Sequence, residues 1–200
     1  MEKKVIGITG GIGCGKSVVM SLIEEKYHGA VLLTDLIAHD LMEPGGANYD
    51  AILSAFGSSV LAKTGKIDRK KLGDIVFGNP EKLALLNSIT HPNVLRETKR
   101  RIEMQKADLD VSVVCLESAL LFDTPLEDFC DTIWYIYAEE EVRIQRLIEG
   151  RGYTREHCLS VMSKQLPEEV FRQKADAVID NSHTVEMTDR QIEQLLQKVS

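Results

Sequence analysis

No stretch of the 200-residue sequence approaches the roughly 18 consecutive apolar residues that a membrane-spanning helix needs. The first strand-like segment begins by residue 4, so no leader peptide is expected ahead of it. Cysteine is scarce. The four, at positions 14, 115, 130 and 158, form no C-x-x-C pair and have no histidine at zinc-finger spacing. That excludes a zinc module or a disulfide framework and implies free thiols in a reducing cytoplasm. The motifs D-x-x-G and N-K-x-D are both missing, which excludes a guanine-nucleotide switch. Internal repeats and low-complexity tracts are also absent. A broad basic face is lacking, because the formal net charge is −7, and with it the means for general nucleic-acid binding.

The 44% hydrophobic and 28% charged residues are those of a folded globular domain. Its charge is arranged in blocks. Residues 63–106 carry 11 Lys/Arg against 5 Asp/Glu, residues 107–141 carry none against 10, and residues 142–174 carry 7 against 4. Two local basic blocks on an acidic chain suit a small polyanion such as a nucleotide. Solvated lysine-rich helix faces would account for part of the same pattern.

The strongest signal is Gly10-Gly11-Ile12-Gly13-Cys14-Gly15-Lys16-Ser17, which fits G-x-x-x-x-G-K-[ST]. It lies between a buried strand, Lys4 to Thr9, and a helix from about Lys16 to Lys26. Glycines let successive backbone N–H groups converge on a phosphate, and the helix N-terminus adds partial positive charge. Lys16 would reach the β- and γ-phosphates, and Ser17 would offer its hydroxyl to Mg²⁺. Cys14 in this loop reads either as a reactive thiol or as a small tolerated side chain. The loop by itself says that a nucleoside triphosphate is bound and leaves the fate of the phosphate open.

Elsewhere strands alternate with helices. Expected strands are Ala30–Leu33, Val111–Leu116, Thr132–Tyr137 and Ala177–Ile179. Two of them, Val111–Leu116 and Thr132–Tyr137, lack period-2 alternation, as a parallel strand covered on both faces should. The first helix is expected to stop at Gly29. From Asn48 to Lys106 the pattern is helical throughout, with Phe77 on an apolar face, one helix over Leu83–Ile89 and another starting at Pro92. A helix opening at Glu139–Glu141 should stop at Gly150, and Thr154 should cap the next, which runs to about Gln165. Thr188-x-x-Gln191 resembles a capping box for a closing helix.

In a parallel sheet, ligands gather at the carboxyl ends of the strands. Asp35, Glu117 and Asn181 follow three of them. Asp35 reads equally as an acceptor-side base or as a helix cap. Glu117 reads as a carboxylate near Mg²⁺ or as a turn residue. Arg143, Arg146, Arg151 and Arg155 flank Gly150 and Gly152, the pattern of an arginine-bearing lid or of an exposed basic helix pair. His91 reads as a ligand contact or as a cap or surface residue.

Several stretches together resemble the dephospho-coenzyme A kinase family along nearly the whole chain. They are Ile8–Ser17, Thr34-Asp35-Leu36-Ile37-Ala38, Glu43-Pro44-Gly45, Ile75-Val76-Phe77, Ile89-Thr90-His91-Pro92, Leu120-Leu121-Phe122, and Ala175-Asp176 with Ile179-Asp180-Asn181. The resemblance implies a three-layer α/β P-loop kinase with a five-stranded parallel sheet, a helical substrate insertion and a lid. Residues 1–44 and 107–200 would form the nucleotide-binding core, with the lid at about 143–174, and residues 45–106 would be the insertion that binds coenzyme A. The implied reaction transfers the γ-phosphate of ATP to the ribose 3′-hydroxyl of dephospho-CoA, the last step of coenzyme A synthesis. Asp35, Lys16 and Arg146 would be catalytic. ATP would be held by Gly11, Ile12, Gly13, Cys14, Gly15, Lys16, Ser17, Val18, Arg146 and Asn181. The acceptor would be held by Asp35, His91 and Glu117, and Mg²⁺ by Ser17. The implied protein is cytoplasmic, monomeric or a small homo-oligomer, with no nucleic-acid or membrane partner. The chain departs from the family pattern at Leu33, where an aspartate is usual, at His39, Ala119 and Asp123, and at Arg151, where a lid arginine is shifted by one position.

Overall fold

The computed structural model describes residues 3–199. In chain order its strands are Val5–Thr9 (β1), Ala30–Leu33 (β2), Val114–Glu117 (β3), Thr132–Tyr137 (β4) and Ala177–Asp180 (β5). Its α-helices are Lys16–Tyr27 (α1), Thr34–Asp40 (α2), Tyr49–Phe56 (α3), Arg69–Val76 (α4), Pro80–Ala107 (α5), Glu140–Arg151 (α6), Arg155–Met162 (α7), Glu168–Lys174 (α8) and Val185–Val199 (α9). Among the described residues no helix is long and apolar enough to cross a membrane.

The five strands form one sheet in the order β2-β3-β1-β4-β5. β1 pairs in parallel with β3 and β4, and β4 with β5. Every residue of β1 is buried, which explains why it reads as an unbroken apolar run. The register sets Ile8 opposite Glu117 on one side and opposite Trp134 on the other. The residues that follow β1 and β3 are therefore neighbours at the carboxyl edge of the sheet. Ile6, Ile8, Val19, Ile23, Trp134, Ile136, Ile179 and Ile192 form the main core, with Cys14 of the glycine-rich loop among them. The last helix is clasped to α1 by Asp189, which accepts from the Tyr27 hydroxyl at 2.7 Å and pairs with Lys26.

The chain divides into two compact units, one reaching to Leu32 and resuming at Ile102, the other Leu33–Arg101. The second has its own core of Ile52, Val60, Leu72 and Val76, packed by Leu53, Phe56, Ile67 and Leu86. Extended structure there is an isolated bridge between Leu61 and Ile67, in keeping with the helical reading of this stretch.

The structure corrects several expectations. The left-handed residue that ends α1 is His28, at φ 53°, ahead of Gly29. Phe77 caps the end of α4 and is 90% exposed, so it lies outside the apolar face. A single helix, α5, runs through Pro92 in place of the two expected. Proline cannot donate to the Ser88 carbonyl four residues back, and Ser88 and Pro92 are both exposed, so water can take the place of that bond. β3 starts at Val114, three residues later than expected, after a turn in which Asp108 accepts from the Asp110 N–H at 3.0 Å. α6 continues through Gly150 to Arg151 and ends at Gly152, whose φ is 66°. Thr154 does cap α7, accepting from the His157 N–H at 3.2 Å, but that helix ends at Met162. α9 begins at Val185, three residues before Thr188, which is buried inside it.

Candidate active site

The loop between β1 and α1 is shaped both by its own backbone and by what presses on it. Gly13 and Gly15 have φ values of 80° and 84°, a region closed to most side chains. A Cβ on Gly13 would lie 2.8 Å from the Arg143 carbonyl oxygen, and one on Gly15 would lie 2.2 Å from Asn181 Nδ2. Glycine is needed there for conformation and for room. The close approach comes from α6 and from the residue after β5, which no local pattern around the loop reveals.

Lys16, the first residue of α1, donates to the Gly10 carbonyl at 2.8 Å and lies 3.7 Å from Glu117 Oε1. This is where the β1–β3 register brings loop and carboxylate together. Ser17 is exposed on the first turn, and Val18 is half-buried. Asn181 is buried. Its Nδ2 donates to the Cys14 carbonyl at 2.8 Å, and its Oδ1 accepts from the Thr188 hydroxyl at 2.8 Å. That is the work Thr188 does in place of capping. Gln191, the other half of the expected capping box, bonds both the N–H and the carbonyl of Asp180.

Two of the four lid-type arginines reach the loop. Arg143 Nε donates to the Ile12 carbonyl at 2.9 Å. Arg146 Nη2 donates to the Asn181 carbonyl at 2.9 Å, and its Nη1 lies 3.4 Å from the Cys14 carbonyl. Of the other two, Arg151 is exposed at the end of α6, and Arg155 forms an exposed pair with Glu141. Cys14 is buried, and desolvation pushes its thiol up, with Lys16, Arg143 and Arg146 pulling the other way. A thiol with almost no exposed surface packs as part of the core, which favours the small tolerated side chain over the reactive thiol. A small open cleft adjoins the loop, lined by Gly11, Tyr135, Arg143, Gln165, Glu168 and Phe171 among others.

Lys16, Glu117, Arg143, Arg146 and Asn181 thus converge on residues 10–17. Asp35 and His91 belong to the second unit. Asp35 lies exposed in the first turn of α2, where the cap position is Leu33 and no side chain caps it. The helix-cap alternative for Asp35 is thereby removed. His91 is exposed within α5, not at a helix start as expected. Gln165, which accepts from the Ile12 N–H at 2.9 Å, is the site residue that sequence reasoning misses. It lies in a turn without any motif, 153 positions from its partner.

Among the described residues no three His, Cys, Asp or Glu side chains group as a metal cage. One hydroxyl on Ser17 and one carboxylate on Glu117, beside a phosphate loop, instead suit a hard cation that arrives largely coordinated by nucleotide oxygens.

The dephospho-CoA kinase family model, CoaE, matches residues 4–186. The dephospho-CoA kinase of Carboxydothermus hydrogenoformans is 43% identical over 195 residues, covering 97% of this chain and 93% of that one. Among solved structures, TT1252 from Thermus thermophilus superposes with a TM-score of 0.83 at 30% identity, over 100% of both chains. The dephospho-CoA kinase from Campylobacter jejuni superposes with a TM-score of 0.67 at 25% identity, over 99% of this chain and 98% of that one.

Proposed function

The chain belongs to the dephospho-CoA kinase family, and from that premise we propose how its residues divide the reaction between them. It is an ATP-dependent phosphotransferase that moves the γ-phosphate of ATP to the ribose 3′-hydroxyl of dephospho-CoA, giving CoA and ADP.

In our reading the loop from Gly11 to Val18 holds the phosphates of ATP, with Lys16 turning from the Gly10 carbonyl to the β- and γ-oxygens. Arg143 and Arg146 supply positive charge where the transferring phosphoryl group spreads its own. Asn181, with its amide fixed by Thr188, keeps the loop carbonyl of Cys14 occupied and so braces the loop. Ser17 holds Mg²⁺, and Glu117 assists through water. Bound there, the ion would neutralise charge building on the bridging oxygens. Asp35 orients the 3′-hydroxyl. As the oxygen of that hydroxyl bonds to the γ-phosphorus and the bond to the β-side oxygen breaks, the hydroxyl proton passes to the Asp35 carboxylate. Residues 45–106, with His91, bind the coenzyme A moiety, and residues of about 143–174 act as a lid. The protein works in the cytoplasm as a monomer or small homo-oligomer, with no nucleic-acid or membrane partner.

The observation that carries this reading is the convergence of Lys16, Arg143, Arg146 and Asn181 on one loop, in a chain matched almost end to end by the family. A coupled assay of ADP release tests it. Release should depend on dephospho-CoA, and neither AMP nor nucleosides should replace it. Turnover of AMP without turnover of dephospho-CoA would overturn the acceptor.

A further inference from the structure

Ile12 lies in the phosphate loop and is engaged by the segment after β4 at three points. Its N–H donates to Gln165 Oε1 at 2.9 Å, and its carbonyl accepts from Arg143 Nε at 2.9 Å. Its side chain packs on Ile144, Leu147 and Cys158, with Met162 alongside. Arg143 Nη2 donates to the same Gln165 oxygen at 3.1 Å, which closes a triangle of hydrogen bonds. The backbone of Gln165 is itself held, its N–H donating to the Met162 carbonyl at 3.1 Å just past the end of α7.

This triangle lies against the loop with nothing between. A Cβ on Gly11 would meet Arg143 Nη2 at 2.4 Å and Gln165 Oε1 at 3.0 Å. A guanidinium on a long side chain loses catalytic value if it wanders, since stabilisation of developing charge depends on donors being in place beforehand. One oxygen of Gln165 meets that need. It takes up part of the Arg143 donor set and leaves the remaining N–H groups for phosphate oxygens. It also draws the Ile12 N–H toward the lid. We propose that Gln165 is a positioning residue for phosphoryl transfer, acting through Arg143 and Ile12 and touching neither substrate.

The proposal rests on the reading that residues 10–17 hold the ATP phosphates. Its test is steady-state kinetics of Gln165→Ala and Gln165→Glu, with KM for both substrates and a thermal melt of each protein. Gln165→Ala should lower kcat by about 10- to 100-fold, the scale of a misplaced catalytic group, with either KM moving by less than about threefold. Gln165→Glu should recover most of the loss, because a single acceptor oxygen makes both bonds and a carboxylate keeps it. The assignment is overturned if kcat of the alanine variant stays within about twofold of wild type, whatever its melting temperature. It is equally overturned if the loss appears in KM alone, or if the glutamate variant is as slow as the alanine variant. Wild-type protein in the same assay separates the two levels. No CoA from wild type would reject the phosphate-loop reading, whereas normal wild-type turnover with an unimpaired alanine variant would reject only the role of Gln165.

Discussion

Asp35 owes its interest to what it does not do. An aspartate at the start of a helix usually caps it, yet α2 begins after Leu33 and the Asp35 carboxylate lies exposed in the first turn. Replacement by asparagine keeps the shape and removes the proton acceptor proposed above. Asp35→Asn should lower kcat by at least about 100-fold while ATP affinity, read by calorimetry, changes little. Near-normal turnover with dephospho-CoA would remove Asp35 as the base. Thr188 offers the opposite lesson, a residue whose sequence context misleads. It looks like a cap, but its hydroxyl is buried and committed to Asn181 Oδ1. Thr188→Val would orphan that oxygen at a cost of about 1–3 kcal/mol, and the loosened amide would no longer brace the Cys14 carbonyl. A fall in melting temperature and a rise in the KM for ATP of a few-fold are expected, with Thr188→Ser close to wild type. If valine melts and binds ATP as threonine does, the brace is idle.

At the scale of elements, legibility follows how local the cause is. β2 and β4 and the Thr154 cap of α7 fall where the sequence puts them, because each is decided by neighbours a few residues apart. The phosphate loop is legible for the same reason. Misreadings occur where solvent exposure lets a helix pass a residue that usually breaks it, or where a distant partner supplies what no local pattern shows. Pro92 reads as a helix start, but the face of α5 that carries it is exposed and tolerates the lost bond. Gly150 reads as a stop, but the turn comes at Gly152. Gln165 has no local signal at all, since its meaning comes from Ile12. The second half of α5 also carries an electrostatic clamp. Glu97 accepts from Arg100 and Arg101, and Arg101 reaches Asp40 of α2 at 2.9 Å. Those bonds hold the Glu97 carboxyl down to about 2 from an ordinary 4.5. A carboxyl with a depressed folded-state pKa stabilises fully above its unfolded value and loses that contribution as pH falls toward the folded one. Glu97→Gln should therefore cost about 1 kcal/mol in urea unfolding near neutral pH, after allowance for the exposed arginines. The gap to wild type should close between about pH 4.5 and 2. A gap independent of pH would show that packing, and not charge, holds Glu97.

For the molecule as a whole, every group assigned to ATP lies in the unit built on the sheet, from Lys16 in α1 through Arg143 and Arg146 in α6 to Asn181 after β5. The groups assigned to the acceptor are split. Asp35 and His91 fall in Leu33–Arg101, a unit with its own core, whereas Glu117, which the family resemblance puts with the acceptor and which we propose assists Mg²⁺, falls beside Lys16. Two cores allow two separately reported ligand responses, because amide exchange follows the local opening of each cooperative unit. Hydrogen exchange of the full chain should show that ATP with Mg²⁺ slows exchange across residues 10–17, 143–146 and 179–183, and changes residues 45–106 little. Dephospho-CoA should slow exchange within 45–106, around His91 above all. With both ligands, using a non-hydrolysable ATP analogue, the segment of about 143–174 should be more protected than with either alone, as a lid requires. If ATP by itself protected 45–106 as strongly as it protected the loop, the donor and acceptor assignments would have to be redrawn. If the segment 143–174 exchanged at one rate in all four states, the arginines of α6 would be a fixed part of the loop and not a lid.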